Sequence, residues 1–210
     1  MTRTHKTVLI LVAVVALVLG LTVGKVLNAP QQQDPAALLD AGIVLLPQSR
    51  ALPALSLLDE QGEAQALDRL TGRWTLLFFG YTFCPDICPT TLAELRQLRG
   101  RLPAELLERY QVIMVSVDPQ RDTPEQLRQY LGFYNAGYHG LTGELADIQK
   151  LAAAVSIPFI PGDTRQERYT VDHSGNLAII GPDGRQRGFI RAPLNVDKLA
   201  AQLPALLRQE

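Results

Sequence analysis

The sequence predicts an α/β fold, a central mixed sheet with flanking helices, standing behind one N-terminal transmembrane helix. Three observations predict it. Short apolar runs alternate with amphipathic stretches from about residue 51, a hairpin signature lies near the end, and an uncharged apolar segment stands near the start. That segment, Thr7 to Gly24 (TVLILVAVVALVLGLTVG), would be roughly 27 Å long as a helix, close to the ~30 Å of a bilayer core. Arg3, His5 and Lys6 precede it and only Lys25 follows closely, so the N-terminus is expected in the cytoplasm and the rest of the chain outside. A cleaved signal peptide fits poorly, because Leu27-Asn28-Ala29 is followed by Pro30, a poor residue after a cut. A lipoprotein needs a cysteine just after the segment, and a buried core helix is disfavoured because the segment is apolar all round and sits beside a basic end. Asn28 to Pro35 (NAPQQQDP) reads as a polar linker. The expected organisation is a cytoplasmic end over residues 1–6, an anchor over 7–24, a linker over 25–50 and a folded domain over 51–210.

Within the domain, Trp74 to Phe79 (WTLLFF) and Val112 to Val117 (VIMVSV) suit strands buried on both faces. Between them Leu92, Leu95 and Leu98 recur at helical spacing in Thr90 to Arg101, which makes a β-α-β crossover with parallel strands. A second helix starts after Thr123, with Pro124 at its first position and Gln126 completing a capping box, and runs to about Leu131. Glu144 to Val155 is a third by periodicity. Asn176 to Ile180 and Arg187 to Ile190 flank the turn Gly181-Pro182-Asp183-Gly184 as an antiparallel hairpin, and Val196 to Leu207 closes as an amphipathic helix. A parallel unit first and an antiparallel hairpin last is the thioredoxin-like arrangement.

Composition narrows the function. The 20 Lys and Arg nearly balance 21 Asp and Glu, but every acidic residue lies at or beyond Asp34, so the exported part is mildly acidic. It offers no broad positive field for nucleic acid. An apolar content of 47% excludes a wholly disordered chain, and two cysteines exclude a disulfide-rich scaffold.

Those two, Cys84 and Cys88, sit in Cys84-Pro85-Asp86-Ile87-Cys88, between the first strand and the crossover helix. A helix N-terminus stabilises a thiolate, which suits redox or metal chemistry. A structural disulfide is the bland alternative, and so short a ring would contribute only about 2 kcal/mol. A metal needs a further ligand. His5 precedes the apolar segment, and His139 lies in what reads as a loop, where most histidines are solvated. His173, just before the hairpin strand, is the better candidate. Two thiolates and one imidazole favour copper, as Cu(I), or as Cu(II) if water or a carboxylate joins, whereas structural zinc usually takes four ligands. Asp86 and Asp172 are candidate helpers.

Gly80 to Pro89 (GYTFCPDICP), Val117 to Pro124 (VDPQRDTP), Gly140 to Gly143 (GLTG), Val171 to Ser174 (VDHS) and Gly181 to Gly184 (GPDG), in that order, resemble the Sco/SenC family over roughly Leu52 to Leu206. These are membrane-anchored, copper-binding assembly proteins of cytochrome c oxidase. The resemblance implies copper ligation by Cys84, Cys88 and His173. It also implies a metallochaperone that supplies the dinuclear copper A centre of oxidase subunit II, or keeps that centre's cysteines reduced. An upstream periplasmic copper donor and a single-pass location in a bacterial inner membrane, with the C-terminal domain in the periplasm, follow as expectations. Phe83 stands where many relatives have histidine or another polar residue, which bears on approach to the site and not on its ligands.

Two further functions compete. A thiol:disulfide reductase would attack with Cys84 and resolve with Cys88, with no need of His173. A copper or redox sensor would use the same residues. A peroxiredoxin is disfavoured, since Tyr81-Thr82-Phe83-Cys84 lacks the threonine spacing such an enzyme needs. The stretch Asp118 to Pro124 reads first as a helix start, with Arg121 a candidate for meeting an acidic partner surface.

Overall fold

The structure, a computed structural model, describes residues 3–27, 34–166 and 168–209, and within the first of these the side chains of His5 and residues 11–22. Two units separate, residues 1–34 and residues 35–210. In the first, Arg3–Leu27 is one helix, α1, with Leu11, Val12, Val15, Leu17 and Leu21 exposed. Among the described residues no helix is long and apolar enough to cross a membrane. The side chains of residues 7–10 and 23–24 of the expected anchor, and residues 28–33 of the expected linker, lie outside the described residues.

The second unit holds α2 (Pro35–Asp40), α3 (Ile87–Arg99), α4 (Pro124–Gly132), α5 (Leu145–Ala154) and α6 (Val196–Leu207). Its strands are β1 (Ile43–Ala51), β2 (Ser56–Asp59), β3 (Ala64–Ala66), β4 (Trp74–Gly80), β5 (Tyr110–Ser116), β6 (His139–Thr142), β7 (Leu177–Ile180) and β8 (Arg185–Ile190). They form one mixed sheet in the order β1-β8-β7-β4-β5-β6-β2-β3. β4 runs parallel to β5, and β5 to β6; β7 lies antiparallel to β4 on the other side. Every residue of β4 is buried, as an uninterrupted apolar run in a central strand requires.

The expected crossover, hairpin and closing helix are present. Thr123 caps α4 by accepting the Gln126 backbone N–H at 3.2 Å. The reciprocal half of the capping box is not made. The Gln126 side-chain amide reaches instead to Thr82 Oγ1 at 3.5 Å, toward the cysteine loop. α3 begins at Ile87, three residues earlier than its leucine spacing suggests, which places Cys88 in its first turn. Pro89 is tolerated there because an N–H in the first turn has no partner within the helix.

The expected linker over residues 25–50 needs correcting. From Pro35 the chain belongs to the domain: α2 leads through Gly42, at φ +80°, into β1, which pairs antiparallel with β8. Pro47 and a register shift between Leu45 and Arg50 break the alternation in β1, a pattern tolerated at a sheet edge.

His139 also differs from its expected loop setting. It opens β6, and its Nδ1 lies 3.1 Å from Oε1 of Glu60, whose other oxygen accepts the Gly140 N–H at 2.8 Å. Burial pushes the Glu60 carboxyl up, but the bonds to His139 and Gly140 outweigh it and hold the pKa at about 2. A depressed carboxylate stabilises the fold above its unfolded pKa, and that contribution disappears as pH falls through the folded value. Acid titration of unfolding free energy is therefore expected to show a loss between about pH 4.5 and pH 2 that Glu60→Gln flattens. An unchanged acid limb in that variant would refute the assignment.

Candidate metal centre

β4 ends at Gly80, and Tyr81 to Asp86 turn the chain into α3. The Cys84 N–H closes that turn on the Tyr81 carbonyl at 3.2 Å. Gly80 is needed for close approach: a Cβ there would stand 2.7 Å from Cys88 Sγ and 2.7 Å from Phe78 Cε1. The loop is fastened to the neighbouring strand by Asp122. This fully buried carboxylate accepts the Thr82 N–H at 3.1 Å, Thr82 Oγ1 at 2.7 Å and, from the end of β5, Ser116 Oγ at 2.6 Å. Burial raises its pKa in spite of these donors.

The opposite wall is the segment leading to β7. Asp172 forms an antiparallel bridge with Ile160, and the Val171 N–H donates to the Tyr81 hydroxyl at 3.3 Å. The Tyr81 ring meets the His173 ring edge-on at 5.3 Å. His173 Nδ1 lies 2.9 Å from the Val171 carbonyl oxygen, which can only accept, so Nδ1 carries the proton. In the neutral ring this leaves the Nε2 lone pair facing the thiols.

Nε2 is 3.1 Å from Cys88 Sγ and 3.8 Å from Cys84 Sγ, and one ligand atom from each residue lies within 4.8 Å of the others. Both thiols are free and buried. They are unequal. Cys84 is held down at about 4 by hydrogen bonding from Cys88, against burial, with His173 and the backbone amides of Asp86 and Cys88 assisting. Cys88 is pushed far up by the same bond, by its deeper burial and by the neighbouring Cys84 charge. Burial pulls His173 down, but its bonds to Cys84 and the Val171 carbonyl and the charges of Cys84 and Asp172 raise it overall.

The donor set fits a soft ion. Bonds of about 2.0 Å to nitrogen and 2.3 Å to sulfur let one ion bridge donors separated by up to about 4.3 Å, which includes both measured nitrogen–sulfur distances. Asp86 and Asp172 have exposed side chains and do not join the cluster; Asp86 contributes its backbone amide and Asp172 its charge. Arg121, a candidate for an acidic partner, is paired with Asp118. Sequence reading missed Gly80, Tyr81, Thr82, Ser116 and Asp122 as parts of the site. A glycine ending an apolar strand was one available signal, and Tyr81, Thr82 and Asp122 stand within the motif stretches over residues 80–89 and 117–124, but their supporting roles act through contacts distant in sequence.

The family model described as SCO1/SenC matches residues 46–208. A Stutzerimonas stutzeri protein named for suspected copper binding is 51% identical over 178 residues, covering 84% of this chain and 87% of its own. The human mitochondrial SCO1 homolog is 30% identical over 155 residues, covering 73% of this chain and 52% of its own, so the chain spans about half the length of that relative. Among solved structures, Bradyrhizobium japonicum ScoI with copper bound is similar at a TM-score of 0.65 and 32% identity, covering 73% of this chain and 98% of that one.

Proposed function

The chain belongs to the SCO1/SenC family, and on that premise we propose that it is a copper carrier whose ligands are Cys84, Cys88 and His173. The observation that carries this reading is the convergence of two free thiols on an imidazole nitrogen whose partner nitrogen is already committed to the Val171 carbonyl. Copper, as Cu(I) or Cu(II), is cargo here, and the recipient is the dinuclear copper A site of cytochrome c oxidase subunit II. The thiolates of the recipient replace Cys84 and Cys88 one at a time, and His173, the weaker ligand for Cu(I), releases first. α1 anchors the chain in a bacterial inner membrane, the domain lies in the periplasm, and a periplasmic donor loads it. Anaerobic Cu(I) titration of the full-length chain against a competing chelator tests the site. Wild type is expected to hold one equivalent and Cys84→Ala to lose tight binding. Stoichiometric binding by Cys84→Ala would sink the assignment.

The inequality of the two thiols supports a second reading, a thiol:disulfide reductase for the same recipient. Cys84 would attack one sulfur of the recipient's disulfide, breaking its S–S bond. Cys88 would then attack Cys84 in the mixed disulfide and release a dithiol, leaving Cys84 and Cys88 oxidised. His173→Ala separates the two. Lost oxidase assembly on scarce copper favours delivery, and wild-type assembly favours reduction.

A further inference from the structure

Arg121 touches both walls of the site. On the cysteine wall its guanidinium carbon lies 4.9 Å from the Phe83 ring centroid and 5.7 Å from that of Tyr81. On the histidine wall it stacks 3.7 Å from the Tyr169 ring centroid, and Nη2 donates to the Tyr169 carbonyl at 3.1 Å. Nε pairs with Asp118, a buried carboxylate that also accepts the Tyr169 hydroxyl at 2.6 Å. Tyr169 precedes Val171, the residue that bonds Tyr81 through its N–H and His173 through its carbonyl.

We propose that Arg121 is a positioning residue that clamps the Tyr169–His173 segment against the cysteine loop, and so presents the imidazole as third ligand. The proposal rests on the reading that His173 takes copper. A planar guanidinium can stack on a ring while donating along its edge, which an ammonium cannot, so the role belongs to arginine and not to positive charge alone. Two thiolates satisfy Cu(I) without help from nitrogen, whereas Cu(II) prefers it, so loss of the clamp separates the two oxidation states. Loss of a supporting contact of this kind weakens metal binding roughly 10- to 100-fold.

The test compares wild type, Arg121→Lys, Arg121→Leu and His173→Ala as full-length chains. Cu(II) binding is followed by paramagnetic resonance for the imidazole-nitrogen signature, Cu(I) binding by chelator competition, and the Val171 amide by hydrogen exchange without metal. Both Arg121 variants are expected to lose the nitrogen signature, to weaken for Cu(II) roughly 10- to 100-fold with Cu(I) changed less than about threefold, and to exchange faster at Val171. Arg121→Lys keeps a cation beside Asp118, so it guards against a leucine variant that fails to fold. Wild-type exchange and signature in Arg121→Lys would overturn the clamp. If His173→Ala keeps the wild-type signature, the copper reading has failed, and exchange at Val171 alone then decides the clamp.

Discussion

Asp122→Ala is expected to lower unfolding free energy by about 2–4 kcal/mol, because it strips the acceptor from three donors at once. The Thr82 backbone N–H, the Thr82 hydroxyl and the Ser116 hydroxyl all converge on this carboxylate, and Ser116 and Asp122 are fully buried. Relief of the carboxylate's own burial offsets part of the loss. Thr82 lies two residues before Cys84, so the cysteine turn should loosen with it. Urea unfolding reads the first effect, and Cu(I) competition at a denaturant-free temperature where the variant is folded reads the second. Wild-type stability would show that the network contributes little.

Gly80→Ala is expected to be the second large effect, about 1–3 kcal/mol of destabilisation from overpacking together with a displaced ligand. The added methyl would meet the Cys88 sulfur on one side and the Phe78 ring on the other, both at 2.7 Å. Phe78 is fixed in the sheet core, and Cys88 in the first turn of α3. The thiol is the freer of the two and should move. Cu(I) affinity is then expected to fall at least about tenfold, as for disruption of a contact that orients a ligand. Copper affinity equal to wild type in a folded Gly80→Ala chain would contradict this account.

The parts of the fold legible in the sequence are those whose burial is uniform along an element. β4 and β5 are unbroken apolar runs, and α3 repeats leucine at helical spacing, so composition and period agree. β1 was hidden because Pro47 and a register shift interrupt its alternation, and β6 because four residues with a central glycine carry no period. Residues 35–50 are mostly apolar, but Pro35 and Pro47 bracket the run and mask a strand, and it is pairing with β8 that brings β1 into the sheet. At the site, the three ligand candidates were readable because soft donors are few in this chain. Asp122 was not. It looks like part of a helix start, and its second role exists only once β5 and the cysteine loop are neighbours.

The central position of β4 sets an order of events for a growing chain. Cys84 and His173 are separated by 89 residues, and β7, which covers the second edge of β4, begins only at Leu177. During synthesis the pair of thiols therefore emerges long before either the imidazole or the strand that completes the sheet beside it. Contacts of such long sequence separation form late, because loop closure must precede them. The immature chain is thus an open dithiol, and the three-donor pocket is a property of the finished one.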